Sequence, residues 1–251
     1  MGKEKRIRIG VVQFNSKTDE PGENLEKAVN YIENLVEEEV DLVLLPEMFN
    51  SGYGTDELVI KNAIEMQEET IETLSALSDY NDVVIVGGMV NKAGEDLYNS
   101  SVIMLPYNEP IYYNKTHLFR NEKNVFKPGN ALKSFDFAGV KFGILMCYEI
   151  GFPEISRKLS REGAQVLLVP FAFGKERREI YEIATRARAI ENGCFLAAAS
   201  QSGRCPSMEL VGESRIVSPS GEIICDCGKG EGFCLADLDI HQVERYRYKE
   251  S

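Results

Sequence analysis

Apolar and polar residues alternate along the chain with two different periods, and these periods predict helices and strands in turn. Apolar residues three and four positions apart predict helices, listed in chain order as 23–38, 56–78, 154–162 and 176–191. Short apolar runs predict strands between them, at 7–14, 41–45, 83–90, 97–105, 111–114, 140–146, 166–169 and 195–200. This alternation is typical of a layered α/β protein with mixed sheets.

The last third of the sequence predicts an antiparallel meander. Its strands are expected at 214–217, 222–226 and 233–237, with a short helix at 240–248. Within the predicted helix 176–191, the helical period places several apolar residues on one face, namely Ile180, Ile183, Ala184, Ala187 and Ile190.

Composition and charge narrow the class of protein. The chain has 251 residues, of which 43% are hydrophobic, and no Gly/Ser/Pro-rich linker interrupts it. We therefore expect residues 1–251 to form a single domain. The net charge of −12 argues against nucleic acid and against an anionic membrane surface as partners.

The N-terminal sequence bears on where the protein works. Residues 1–8 are charged and lack the apolar core of a signal peptide, and no apolar run approaches the ~20 residues of a membrane span. The sequence therefore predicts a cytoplasmic protein.

Cysteines and histidines limit the possible metal chemistry. The two histidines, His117 and His241, exclude a site built from several histidines, and no cysteine spacing matches a zinc site, so no metal is expected. We expect the six cysteines to be reduced. Cys225, Cys227 and Cys234 form a loose cluster, whose ordinary interpretation is small core residues on neighbouring strands. A thiol-redox role for Cys225 and Cys227 is the alternative.

Three reactive side chains follow the ends of predicted strands. Cys147 lies where a buried strand meets a loop, a common position for a nucleophile, although most cysteines are simply buried thiols. Glu47 follows an apolar strand, and an apolar setting would make its carboxylate a useful proton shuttle. Lys115 stands between aromatic and apolar neighbours, from which its charge could stabilise an oxyanion. Each signal is weak when taken alone.

Taken together, the three segments resemble the signatures of the nitrilase superfamily, the carbon–nitrogen hydrolases. They read Leu-Pro-Glu-Met-Phe around Glu47, Tyr-Asn-Lys-Thr-His-Leu-Phe around Lys115, and Met-Cys-Tyr-Glu-Ile-Gly-Phe-Pro-Glu from 146 to 154. Segments 187–192 and 212–222 look like later landmarks of the family. The resemblance covers nearly the whole chain and implies an α-β-β-α sandwich that dimerises, or forms a larger homo-oligomer, through its helices.

The resemblance also implies roles for individual residues. Glu47 would be the general base, Lys115 the stabiliser of the oxyanion, and Cys147 the nucleophile that forms a thioester. Glu122 matches the place of a second glutamate that orients the lysine and the substrate, with a surface charge as the ordinary interpretation. The backbone N–H of Tyr148 would complete the oxyanion site. No metal or organic cofactor is implied.

Two departures from the family pattern bear on the substrate. Gly151 stands where many members have Arg or another large residue, and segment 173–178 reads Phe-Gly-Lys-Glu-Arg-Arg where the family often has Phe-x-x-x-Thr-Gly. Arg177 and Arg178 open a predicted helix, where cations are mildly unfavourable, so they are candidates for binding a substrate carboxylate. A solvated pair that offsets the acidic composition is the ordinary interpretation.

The expected function is hydrolysis of a small amide, with release of ammonia or an amine. Tyr148 follows the nucleophile where nitrilases proper usually carry Trp, and the chain contains no Trp, which favours an amide over a nitrile. Hydrolysis of an N-carbamoyl compound or a nitrile, and acyl transfer, remain open within the superfamily. Outside it, a thiol-redox protein and a non-catalytic binding module remain open.

Overall fold

Two six-stranded sheets form the centre of the protein, as shown by a computed structural model that describes residues 5–248. The strands in chain order are β1 (Arg6–Gln13), β2 (Leu42–Leu44), β3 (Val84–Ala93), β4 (Asp96–Met104), β5 (Ile111–Asn114), β6 (Lys133–Phe137), β7 (Val140–Ile144), β8 (Val166–Phe171), β9 (Phe195–Ser200), β10 (Arg204–Cys205), β11 (Met208–Glu209), β12 (Arg215–Val217), β13 (Ile223–Asp226) and β14 (Gly232–Asp239). Strands β10 and β11 pair with each other as a separate two-stranded ribbon.

Each large sheet is parallel at its centre and antiparallel towards its edges. The first sheet has the order β14-β1-β2-β3-β4-β5, in which β1, β2 and β3 are parallel. The second sheet has the order β13-β12-β9-β8-β7-β6, in which β7, β8 and β9 are parallel. The mixed sheets that the sequence predicts are confirmed.

The helices in chain order are α1 (Pro21–Glu37), α2 (Glu57–Glu65), α3 (Gln67–Asn81), α4 (Pro153–Arg161), α5 (Arg178–Asn192) and α6 (His241–Tyr248). Helices α1, α3, α4 and α5 cover the outer faces of the sheets, whereas Val243 of α6 packs into the cluster between them. One apolar cluster lies between the sheets, a second packs α1 and α3 on the first sheet, and a third packs α4 and α5 on the second. The layers therefore follow the order α-β-β-α, as expected. None of the described helices is long and apolar enough to cross a membrane.

The structure corrects the predicted elements in four places. The helix expected at 56–78 is divided into α2 and α3 at Met66. Strand β6 and the ribbon of β10 and β11 form where the sequence predicted no strand. In α5 the predicted apolar face is turned partly outward: Ile180, Ile183 and Ile190 are exposed. The side of α5 that packs inward is formed by Tyr181, Ala184, Thr185, Ala189 and Asn192.

Candidate functional site

The two sheets bring the three strand-end residues together. Glu47 and Cys147 are each the third residue beyond the end of a central strand, β2 and β7 respectively, and Lys115 follows β5 directly. Glu47 and Lys115 are fully buried, and only 4% of Cys147 is exposed. The Lys115 ammonium lies 2.8 Å from the Glu47 carboxylate, and the Cys147 thiol contacts the same carboxylate, so the three side chains meet in one place.

The loop that carries Glu47 is held tightly against the neighbouring strand. A Cβ atom at Gly88 of β3 would lie 2.5 Å from the Cα atom of Glu47, so this close approach requires glycine. Gly88 donates its N–H to the Pro46 carbonyl and accepts a hydrogen bond from the Phe49 N–H, both at 3.0 Å. Gln201, which directly follows β9 of the second sheet, donates to the Glu47 carbonyl at 2.7 Å. These contacts fix the backbone that carries the Glu47 carboxylate.

Lys115 lies between two buried carboxylates. Its Nζ atom is 2.8 Å from Oε1 of Glu47 and 3.0 Å from Oε1 of Glu122, and only 1% of Glu122 is exposed. Burial alone would lower the pKa of Lys115, but Glu122 and Glu47 raise it well above its ordinary value. The lysine therefore stays positively charged inside the protein.

Two polar residues that the sequence analysis missed complete this network. Asn99 of β4 donates its Nδ2 to Glu47 at 2.8 Å and to Glu122 at 3.3 Å. The Tyr53 hydroxyl donates to Glu122 at 2.8 Å. The available signal for Asn99 was its place within a predicted strand, because a buried amide needs hydrogen-bond partners.

The backbone at Cys147 adopts an unusual conformation. Its φ angle is 44°, in the left-handed region that residues other than glycine rarely occupy, and such strain is often found at functional sites. Burial raises the pKa of the thiol, and the charge of Glu47 raises it further, whereas Lys115 and the Ala172 N–H lower it. The Ala172 N–H also donates to Oε2 of Glu47 at 3.0 Å. The thiol is therefore protonated at neutral pH and lies beside a carboxylate.

Glu149 ties the Cys147 loop to the Lys115 loop, a role that the sequence analysis did not predict. Its buried carboxylate accepts hydrogen bonds from the Met146 N–H at 2.8 Å and from the Tyr113 hydroxyl at 2.8 Å. It also accepts from the Thr116 N–H at 2.8 Å, the Thr116 hydroxyl at 2.6 Å and the His117 N–H at 3.2 Å. One side chain thus joins the backbones on both sides of the site.

A cavity of about 140 Å³ opens onto Cys147. It adjoins a second cavity of about 300 Å³, which reaches Tyr53 and Glu122. Phe119 and Arg120 line both cavities. Pockets for drug-sized ligands typically measure about 300–1,000 Å³, so the space at the thiol suits a small substrate.

The structure separates the two arginines that the sequence analysis considered together. Arg177 lines the cavity at Cys147, and its guanidinium carbon lies 5.2 Å from the ring centre of Phe119, 5.5 Å from that of Tyr148 and 5.0 Å from that of Phe173. Among the described residues, no carboxylate forms an ion pair with Arg177.

Arg178 has different surroundings. Its side chain is half exposed and pairs with Glu213 at 3.0 Å and with Glu182 at 3.1 Å. It lines a separate surface pocket and does not line the cavity at Cys147. The prediction that both arginines face the substrate is therefore wrong for Arg178, and Arg177 remains the candidate.

Gly151 lies at the surface, whereas Tyr148 lies at the cavity. Gly151 is exposed, and no atom lies within 4 Å of the Cβ position that a larger residue would occupy. Tyr148 lines the cavity and packs against Phe119, with ring centres 5.1 Å apart. Within residues 5–248, no group of three or more His, Cys, Asp and Glu side chains is arranged to hold a metal ion.

Comparison with known proteins finds relatives that match nearly the whole chain. The chain is 32% identical over 252 residues to a protein named nitrilase from Pyrococcus abyssi, covering 97% of this chain and 94% of that protein. It is 31% identical over 245 residues to the 2-oxoglutaramate amidase of Bacillus subtilis, covering 95% and 93%.

A solved structure is similar over nearly the whole chain. It shows an amidase variant from Nesterenkonia sp. AN1 in which the acetamide moiety of fluoroacetamide is covalently added to the active-site cysteine. Its TM-score is 0.87 at 25% sequence identity, over 99% of this chain and 96% of that chain. The family model described as carbon-nitrogen hydrolase matches residues 8–248. With the sandwich of two sheets and the buried Glu–Lys–Cys site, this match shows that the chain belongs to the carbon–nitrogen hydrolase family of the nitrilase superfamily.

Proposed function

We propose that this protein hydrolyses the C–N bond of a small amide through a thioester on Cys147. The observation that carries the proposal is the meeting of Glu47, Lys115 and Cys147 in one buried site beside a small cavity. A nucleophile, a base and a fixed positive charge are the three components that acyl transfer requires.

The first half of the reaction forms the thioester. Glu47 takes the thiol proton as the Cys147 sulfur attacks the amide carbon. Lys115 and the backbone N–H of Tyr148 stabilise the negative charge that develops on the carbonyl oxygen. Glu47 then gives its proton to the leaving nitrogen, the C–N bond breaks, and ammonia or an amine departs.

The second half releases the acid. Glu47 takes a proton from water, and the hydroxyl oxygen attacks the thioester carbon. The C–S bond breaks, the proton passes to the Cys147 sulfur, and the carboxylic acid leaves. Glu122 holds Lys115 in place, because its Oε1 atom lies 3.0 Å from Nζ. Side chains of this site carry every proton, so the proposed reaction needs no metal or organic cofactor.

The setting of Arg177 supports an amide that also carries a carboxylate. Its guanidinium lies on the wall of the cavity, surrounded by aromatic rings, with no described carboxylate paired to it. A guanidinium held in this way can bind a carboxylate through two parallel hydrogen bonds. The 2-oxoglutaramate amidase named above is a relative whose name fits such a substrate.

Ammonia release from matched compounds tests the proposal. The panel contains a short primary amide with a distal carboxylate, its neutral analogue, the corresponding nitrile and an N-carbamoyl amino acid. We expect the amide with the carboxylate to have the highest kcat/KM. Cys147→Ala should lower its turnover by at least about 10³-fold, because the covalent route is lost. Cys194→Ala, a change at another buried thiol, is the matched control and should leave turnover nearly unchanged.

One relative favours a second candidate, hydrolysis of a nitrile. The protein from Pyrococcus abyssi is named nitrilase and shares 32% identity with this chain. A nitrile turned over faster than its matched amide would select this alternative. Cys147→Ala activity above about 1% of the unmodified enzyme would exclude the thioester route for either substrate.

We also propose that the protein forms a homodimer through the outer face of α5. Ile180, Ile183 and Ile190 are 42%, 69% and 52% exposed, and all three belong to α5, in an outer layer of the sandwich. A second copy related by a twofold axis would cover these apolar side chains. Light scattering should give twice the chain mass, and Ile183→Lys should give the monomer mass.

A further inference from the structure

Three half-buried cysteines meet where the last strands of the two sheets come together. Cys225 lies on β13, Cys227 follows that strand, and Cys234 lies on β14. The sulfur of Cys234 accepts a hydrogen bond from the thiol of Cys225 and another from that of Cys227, each with an S···S distance of 2.9 Å. We refer to these three residues as the thiol trio.

The trio joins the two halves of the sandwich. Strand β14 is an edge strand of the first sheet, and β13 is an edge strand of the second. Cys234 lies opposite Val11 of β1, and Cys225 lies opposite Ile216 of β12. A covalent bond from Cys234 to either neighbour would therefore link one sheet to the other.

A disulfide within the trio requires only a small rearrangement. Between the second and third cysteines the chain contains Gly228, Gly230 and Gly232, whose backbones have wide conformational freedom, and the Gln13 side chain donates to the Gly228 and Gly230 carbonyls and so limits how far the segment moves. A disulfide has an S–S distance of about 2.05 Å, so each sulfur pair must approach by about 0.9 Å. This approach is small for a segment rich in glycine.

We propose that the thiol trio is an oxidative modification site at which Cys234 forms a reversible disulfide with either Cys225 or Cys227. The sequence hypothesis paired Cys225 with Cys227, whereas the structure places both against Cys234. The oxidant is a low-molecular-weight disulfide such as oxidised glutathione. This inference is independent of the proposed amide hydrolysis, since the trio lies outside the cavity at Cys147.

The exchange proceeds in two steps that balance. The Cys234 thiol loses its proton to solvent, and its sulfur attacks one sulfur of the oxidant, forming a mixed disulfide and releasing one glutathione thiolate. The thiol of Cys225 or Cys227 then loses its proton to solvent, its sulfur attacks the Cys234 sulfur, the mixed disulfide breaks, and the second glutathione leaves as a thiolate. The two glutathione thiolates take up two protons from solvent. Two protein thiols are oxidised, and one glutathione disulfide is reduced to two thiols.

Mass spectrometry after incubation of the folded protein with oxidised glutathione tests the proposal. The hydrogen bond to Cys234, together with burial, raises the pKa of Cys225, so mildly alkaline buffer is appropriate. We expect the protein to lose two hydrogen atoms in mass and a dithiol to reverse the change. Peptide mapping should link Cys234 to Cys225 in some molecules and to Cys227 in others.

Serine variants test the central position of Cys234. Cys234→Ser should abolish the internal disulfide, whereas Cys225→Ser and Cys227→Ser should each retain the remaining pair. Cys194→Ser, at a fully buried thiol outside the trio, is the matched control and should behave like the unmodified protein.

Three results would overturn the inference. The first is a glutathione adduct that persists on the trio without an internal disulfide. The second is a trio that stays reduced under conditions that oxidise the urea-unfolded chain. The third is a Cys234→Ser variant that forms a disulfide between Cys225 and Cys227 as readily as the unmodified protein forms its own.

Discussion

Glu149→Gln should weaken both the fold and the catalysis, because one carboxylate joins the loops that carry Cys147 and Lys115. The change replaces one acceptor oxygen with an NH₂ group of nearly the same size. On the Oε2 side this group would face the Met146 N–H, and on the Oε1 side it would face the Thr116 and His117 N–H groups. At least one buried backbone N–H therefore loses its partner.

The expected loss of stability follows from these contacts. A buried donor left without a partner costs about 1–3 kcal/mol, and hydrogen bonds to a charged acceptor are worth about 1 kcal/mol more than neutral ones. The neutral amide is less costly to bury, which offsets part of this loss. We expect the free energy of unfolding to fall by about 2–4 kcal/mol.

The effect on catalysis should appear mainly in kcat. Glu149 lies two residues after Cys147 and contacts the residue after Lys115, so its loss lets the thiol and the ammonium group move relative to each other. A displacement of about 1 Å in a reacting pair costs on the order of 10²-fold in rate. KM should change little, because Glu149 does not line the cavity at Cys147.

Urea unfolding followed by fluorescence, together with ammonia-release kinetics, measures both effects. Glu154→Gln, at an exposed glutamate in the first turn of α4, is the matched control and should change neither quantity. A Glu149→Gln variant that unfolds within about 0.5 kcal/mol of the unmodified protein, the range of ordinary surface changes, and keeps at least half of its kcat would refute this role of Glu149.

Substitution of three arginines, alkylation of Cys147 and removal of metal ions test other parts of the protein. Arg177→Ala should raise KM for an amide with a distal carboxylate far more than for its neutral analogue, and Arg178→Ala should raise neither; equal effects of Arg177→Ala on both substrates would remove the carboxylate proposal. Arg215→Ala should lower the free energy of unfolding by about 3 kcal/mol, because the 2%-exposed guanidinium pairs with Glu182 at 2.6 Å; urea unfolding within 1 kcal/mol of the unmodified protein would argue against this role. Because burial and Glu47 raise the pKa of Cys147, its alkylation by iodoacetamide should accelerate with rising pH without levelling off below the ordinary thiol pKa of 9.0; a plateau near neutral pH would indicate a stable thiolate. EDTA should leave activity unchanged, and loss of activity restored by zinc would contradict the thiol mechanism.

The catalytic candidates were predictable because their signal is local. Glu47, Lys115 and Cys147 each come shortly after a predicted strand, and the three short segments around them together resemble the motifs of one family. Glu149 was not predictable in the same way, because its partners Tyr113 and Thr116 lie more than 30 residues away along the chain. Its role depends on how the two sheets pack, which periodicity does not encode.

The two arginines show a second limit of sequence analysis. Arg177 ends a short 3₁₀ turn and Arg178 begins α5, and successive residues on a helix point about 100° apart. One therefore faces the cavity and the other faces Glu213. In α5 the apolar period identified the helix correctly, but it could not show that Ile183 faces outward, because an apolar side chain suits a protein interface as well as a core.

Acid quenching during turnover of an activated ester tests the thioester on Cys147 most directly. With a good leaving group, acylation should outpace hydrolysis of the intermediate, so that the acyl-enzyme accumulates. If Cys147 forms the thioester, we expect a burst of about one leaving group per active site and an acyl group on the peptide that contains Cys147. An acyl group on another residue, or an undiminished burst in Cys147→Ala, would contradict it.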